Sequence, residues 1–334
     1  MTRARRTVLA LSSEPEGPVV RHRALLWRDA LAQAGIALEV CPWPKDWIGR
    51  RAALARAEEA GHAWVLSRLL RRADVTRLRA RVRRLVFDFD DALPWRDSSR
   101  GADLSPTRLE RFKAVAGAAD LVIAGNEHLA QVAARMGVRA RVIPTCVETP
   151  VGHAEPEPDL PPFVLGCNDS RATLPYLERV TVPLAAVVAM GSPVRLRVVA
   201  DACPTMPPGI PVEEVRWTAE GEGPALDGIH VGLAPLPDDA WTRGKCGLKV
   251  LQCMARGRPV VASAIGVQAR QVQHGVTGML ARDDAAFVDG VLALLTDHAL
   301  RRRMGAAARE EVRARWSEAA WRDRVVATLA EALA

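Results

Sequence analysis

Residues 243–263 read RGKCGLKVLQCMARGRPVVAS. Two lysines and two glycines lead into a helical run, and Gly-Arg-Pro then separates that run from a short apolar strand. Leu248, Leu251 and Ala255 recur on one helical face and predict a core-facing stripe. Lys249, Gln252 and Arg256 are three and four residues apart and share the opposite face. Lys245 stands just before the helix that Gly247 opens, where free N–H groups and the positive dipole end favour an anion. The GxxxxGK[ST] spacing of a P-loop is absent, and Cys246 follows the lysine where a metal-binding hydroxyl would be required. The segment is therefore either a phosphate or diphosphate cradle or an ordinary solvated helix end.

Working outward, the same strand–loop–helix texture fills the chain. TVLALS (7–12), IALEVCP (36–42), AWVLS (63–67), RLVFDFDD (84–91), DLVIAG (120–125) and RARVIPT (139–145) read as strands, with helical patterns between them. VVRHRALLWRDALAQAG (19–35) reads as one helix closed by Gly35. Beyond residue 162, FVLGC, VRLRVVAD, VEEVRW, GIHVGLAPL, PVVAS and TGMLA repeat the alternation, with a helix from about Ala172 to Ala189. Strands separated by helix-length segments predict βαβ units and a parallel sheet covered on both faces.

VETPVGHAEPEPDLPP (147–162) is rich in proline and acid and has no periodicity. It reads as a linker. The expected organisation is a Rossmann-like domain over 1–147, a linker over 148–162 and a second Rossmann-like domain over 163–315. A C-terminal helix over 316–334 would pack back on the first domain. A ligand cleft is expected outside the carboxyl ends of the strands.

The bulk composition bounds the function. The chain has 334 residues, 46 Lys+Arg against 39 Asp+Glu and a formal charge of +7. That balance admits phosphorylated ligands or an anionic membrane surface, although no amphipathic anchor stands out. It carries no aromatic-basic stripe or helix-turn-helix signal, so nucleic acid is not expected as a partner. The six cysteines are scattered, with no CxxC pair, which predicts neither disulfides nor a metal site and fits a cytoplasmic location.

RLVFDFDDALP puts Asp88, Asp90 and Asp91 at a strand end, where like charges raise one another's pKa. The DxD pattern superficially matches haloacid dehalogenase phosphatases, but no downstream acidic pair completes it. Asp90 or Asp91 is a candidate general acid or base. The alternative is an acidic turn satisfied by arginines such as Arg96. Gly17, after the first strand, sits where a ligand would approach the backbone. Glu127 and His128 begin a helix after another strand, and Trp95, Trp217 and Trp241 could stack on a sugar or base.

In order along the chain, RRLVFDFDDA, AADLVIAGNEHLA, VIPTCVE, VLGCNDSRATLPYLE, GLKVLQCMARGRPVVAS, GVQARQVQHGVTGMLA and LRRRMGAAAREEVRARWS form a series. This series resembles the retaining GT-B glycosyltransferases of family 4 over nearly the whole chain. The resemblance implies an α/β GT-B fold and a nucleotide-diphosphate sugar as co-substrate, with no cofactor or metal. It also implies a hydroxyl acceptor on a glycan, a lipid-linked glycan or a small molecule. Lys249 would grip the donor diphosphate, with Lys245 or Arg243 second. Ser170, Arg171, Gly247 and the backbone of Ala264, Ile265 and Gly266 would add donor contacts. The family often carries two glutamates with seven residues between. Here Gly244 and Gln252 hold those positions, and Gln252 could still bond a ribose hydroxyl. Asp169 replaces part of a glycine-rich turn. These two departures keep a catalytically silent scaffold or glycan-binding protein open beside the enzyme.

Overall fold

The computed structural model describes residues 6–150, 160–169, 173–189, 191, 193–201 and 209–334. The chain divides into two compact units. Unit 1 comprises Met1–Cys146, Arg243–Cys246 and Glu318–Ala334, and unit 2 comprises Val147–Thr242 and Gly247–Ser317. Ser170, Arg171 and most of the 148–162 segment lie outside the described residues.

Unit 1 is built on a six-stranded parallel sheet of order β2-β1-β3-β4-β5-β6. Its strands are β1 (Arg6–Ser12), β2 (Ile36–Pro42), β3 (His62–Leu66), β4 (Arg84–Phe89), β5 (Leu121–Ala124) and β6 (Arg141–Val142). Every residue of β3 and β5 is buried, as expected of parallel strands covered on both faces. Helices α1 (Pro18–Arg23), α2 (Arg28–Gln33), α3 (Trp47–Ala60), α4 (Arg72–Arg79), α5 (Pro106–Ala118) and α6 (Glu127–Arg135) connect them. The single helix expected over 19–35 is broken at Ala24 (φ −124°, ψ −58°), and Leu25–Trp27 form a 3-10 turn. The break lets Arg23 and Trp27 both reach the interior, at 3% and 1% exposure, so packing overrides local helix propensity.

Unit 2 holds β7 (Phe163–Asn168), β8 (Val194–Ala200), β9 (Val212–Arg216), β10 (Val231–Ala234), β11 (Val260–Ser263) and β12 (Gly278–Ala281). They pair in parallel in the order β12-β11-β10-β7-β8-β9. This is the doubly wound arrangement, whose strand order reverses between β7 and β10. Helices α7 (Leu174–Ala189) and α11 (Asp284–Thr296) pack in one core cluster. Helices α8 (Glu222–Asp227), α9 (Leu248–Ala255) and α12 (His298–Arg315) contribute to another, and the four-residue α10 (Gln268–Gln271) follows β11. The last helix, α13 (Glu318–Ala332), belongs to unit 1, where Val325, Leu329 and Leu333 join a core with Val8, Trp27 and Trp64.

Among the described residues, no helix is long and apolar enough to cross a membrane.

Candidate functional site

The carboxyl end of β4 carries the three aspartates, and each has a different partner. Asp88 is 2% exposed and accepts from Arg23 Nε at 3.0 Å and Nη2 at 2.8 Å, while Arg23 Nη1 donates to the Ile143 carbonyl at 2.8 Å. Burial pushes the Asp88 carboxyl up to about 6 against the pull of the guanidinium. Asp90 accepts from Ser67 Oγ, and the same hydroxyl accepts from Asp90 N at 3.2 Å. Ser67 makes this contact from a left-handed backbone (φ 41°). Asp91 pairs with Lys245 Nζ at 2.9 Å. Burial and the neighbouring Asp90 push the Asp91 carboxyl up, against the opposing pull of Lys245. Arg96 is not the cation that satisfies this turn: it is exposed, and its backbone N–H goes to the Asp103 carbonyl. Arg23 and Lys245 take that role.

Arg243–Cys246 pack in unit 1 through Asn126. The Asn126 Oδ1 caps α6 by accepting from Leu129 N at 2.8 Å, and its Nδ2 donates to the Gly244 and Lys245 carbonyls at 3.1 and 3.2 Å. A side chain at Gly244 would put its Cβ 2.7 Å from Ala92 Cβ and 3.0 Å from Ala92 N. Position 244 is therefore a packing glycine. His128, on the same helix, is held below the ordinary imidazole range by burial and by the cations of Arg243 and Arg135. Gly17 caps α1 at φ −73°, and a Cβ there would stand 3.0 Å from Glu14 Cβ, so Glu14 already accounts for the glycine.

In unit 2, Gly247 starts α9 in the left-handed region (φ 68°), and a Cβ there would overlap the Gln271 amide. Lys249 lies in the first turn. Its ammonium contacts the Asp169 carboxylate and donates to Thr173 Oγ1 at 2.6 Å. Asp169 thus has a physical role: it neutralises the lysine beside it. Gln252, on the face shared with Lys249 and Arg256, is itself buried, at 4% exposure. Its Oε1 accepts from Asn168 Nδ2 at 3.0 Å, and the same nitrogen donates to Glu222 Oε1 at 2.6 Å. Trp217 Nε1 also donates to that Glu222 oxygen, at 3.0 Å. The result is a buried polar cluster at the end of β7, beside the reversal of strand order.

The amides of Ala264 and Ile265 are already committed, to the Ala281 and Ser263 carbonyls at 2.8 and 2.7 Å. Gly266 follows in the left-handed region (φ 54°). At the carboxyl ends of β10, β11 and β12 lies a cavity of about 970 Å³, with Tyr176, Leu236, Ile265 and Phe287 on its apolar wall and Asp238 and Arg282 among its polar groups. A crevice outside the strand ends is where doubly wound sheets receive ligands. Among the described residues, no group of three or more His, Cys, Asp or Glu is placed to hold a metal ion.

The sequence reading missed Ser67, Asn126 and Glu222. Asn126 had a legible signal, an Asn just before a helical run. Ser67 and Glu222 had none, since their partners lie 23 and 54 residues away.

Two Rossmann-like parallel sheets with surrounding helices define the GT-B class of fold. Residues 173–297 match the family Glycosyl transferases group 1. A trehalose synthase from Pyrococcus horikoshii is 42% identical over 67 residues. That match covers 20% of this chain and only 16% of the relative's length. Among solved structures, HepE of Anabaena in complex with UDP and glucose superposes with a TM-score of 0.72 at 15% identity, covering 97% of this chain and 99% of that one. Sucrose-phosphate synthase from Thermosynechococcus elongatus gives 0.74 at 18% identity, with 98% of each chain covered. At these identities the structural likeness speaks for the fold.

Proposed function

We propose that this chain is a glycosyltransferase that moves a sugar from a nucleotide-diphosphate donor to a hydroxyl acceptor, with retention and without a metal. The observation that carries the reading is Lys249, a cation in the first turn of α9 within the residues that match the group 1 glycosyltransferases. There its ammonium and the N-terminal amides of α9 can take the charge of a departing diphosphate without a divalent ion. Asp169 and Thr173 hold the lysine in place, and a donor phosphate would compete with Asp169 for it. The solved neighbour with UDP and glucose makes a uridine-diphosphate sugar the first donor to test.

In unit 1, Asp90 or Asp91 would orient the acceptor hydroxyl or take its proton. Asp90 is held by the Ser67 hydroxyl and Asp91 by the Lys245 ammonium, so an acceptor would meet the two carboxylates in different settings. The acceptor is a glycan, a lipid-linked glycan or a small molecule.

Gly244 supports a second reading, a silent scaffold, because its backbone has no room for the acidic side chain that the family often places there. A thermal-shift and calorimetric screen against UDP, GDP, ADP, dTDP and their sugar conjugates separates the two. Ligand at about 100 times its dissociation constant stabilises by roughly 2.7 kcal/mol. Selective stabilisation by one diphosphate, lost in Lys249→Ala, is expected of the enzyme. Silence across the panel would leave the scaffold.

A further inference from the structure

In unit 1 two tryptophans four residues apart have opposite fates. Trp43 is 5% exposed and belongs to the core, whereas Trp47 is 65% exposed and Ile48 is 66% exposed. They form the first turn of α3, which Asp46 caps by accepting from Gly49 N at 2.7 Å. Ala52 and Ala55 continue the exposed apolar strip one and two turns further along. Leaving a tryptophan and an isoleucine side by side in water forgoes burial that most folds would use.

The exposed charge around this strip is mostly positive. Arg50 reaches Asp74 of α4 at 3.8 Å, which sets the starts of α3 and α4 side by side. Lys45, Arg51, Arg71 and Arg72 are exposed at those starts. The nearby carboxylates are spent: Asp46 on its cap and Asp74, buried, on Arg50 and Arg77. Glu58 and Glu59 lie at the other end of α3. A tryptophan ringed by lysine and arginine fits an interface that is apolar below and anionic above.

We infer that the starts of α3 and α4 dock on an anionic lipid bilayer, with Trp47 and Ile48 inserting among the headgroups and Lys45, Arg51, Arg71 and Arg72 facing the phosphates. Each cation held at such a surface strengthens binding about fivefold, and salt screens that part alone. The docking needs no nucleotide sugar and stands apart from the transferase reading.

The test is flotation of the full chain with phosphatidylcholine vesicles, with and without phosphatidylglycerol, in the absence of donor. The chain should float with the anionic vesicles and stay behind with the neutral ones. Trp47→Ser with Ile48→Ser should weaken flotation at least about tenfold, as should Arg71→Glu with Arg72→Glu, while thermal unfolding stays near wild type. Wild-type protein that ignores anionic vesicles, or serine variants that float unchanged, would overturn the inference. A dimer seen by sedimentation and lost in Trp47→Ser would overturn it too, by assigning the strip to a second copy of the chain.

Discussion

Arg23 places two guanidinium nitrogens on one oxygen of Asp88, at 3.0 and 2.8 Å, where both side chains are 2% exposed. The folded Asp88 pKa, about 6, lies above the roughly 3.9 of an unfolded aspartate. A raised folded value means that its contribution to stability is complete below pH about 4 and is lost as pH rises through about 6. Arg23→Met removes the cation and should raise the Asp88 value further. The expected loss is about 3–5 kcal/mol near pH 8, as for a broken buried pair, and smaller at pH 5, where the neutral acid needs no partner. Urea unfolding of both proteins at the two pH values measures it. An equal loss at both would mean that Arg23 acts only through packing.

Lys249 and Asp169 make the second prediction. If the lysine takes the donor diphosphate, Lys249→Ala should weaken nucleoside diphosphate binding by about 1.5–3 kcal/mol, the worth of a charged hydrogen bond. Asp169→Asn should act in the opposite sense and strengthen binding a few-fold, because the phosphate no longer competes with a carboxylate. Calorimetry on the two variants gives both signs in one experiment. Weaker binding in both would show Asp169 holding the lysine in its productive position.

The strand positions were legible because most buried parallel strands are short apolar runs such as IALEVCP and PVVAS, whereas β9, VEEVR, is only half-buried. The single helix over 19–35 was misread because Arg23, polar by composition, is a core residue whose partner lies 65 positions away. The burial of Gln252 was not legible for a related reason. Helical periodicity assigns it to a polar face, but the Asn168 amide gives it a partner inside the fold. Lys245 and Lys249, one helical turn apart in sequence, are claimed by carboxylates in different units, Asp91 and Asp169. No local pattern carries that information.

Gly247 yields a coupled prediction. Gly247→Ala puts a methyl group into the Gln271 amide and a non-glycine residue at φ 68°, and should destabilise by about 2–4 kcal/mol. Gln271→Ala removes the collision but not the backbone strain. In the double variant about half of the Gly247→Ala loss should disappear, a coupling of about 1–2 kcal/mol in a double-mutant cycle. Additive losses would mean that the left-handed backbone alone demands the glycine.

Asn126 gives the sharpest contrast between two similar substitutions. Its Oδ1 caps α6 and its Nδ2 ties down the Gly244 and Lys245 carbonyls, so each end of one amide has a separate duty. Asn126→Ala loses the cap and the Nδ2 bonds to Gly244, Lys245 and Cys246, and should destabilise by about 1–3 kcal/mol. Asn126→Asp keeps a good capping oxygen, which on helix propensity alone would make it nearly silent. In this site it would instead turn a carboxylate oxygen toward two carbonyl oxygens, 4% exposed and close to Asp90 through Gly125. Asn126→Asp should therefore be at least as destabilising as Asn126→Ala at pH 7 and should recover as the pH falls and the carboxyl takes a proton. Thermal unfolding of the two variants between pH 5 and 8 measures the crossing. An Asp variant as stable as wild type throughout would show that the cap is the whole role of Asn126 and that the 243–246 segment is held by other contacts.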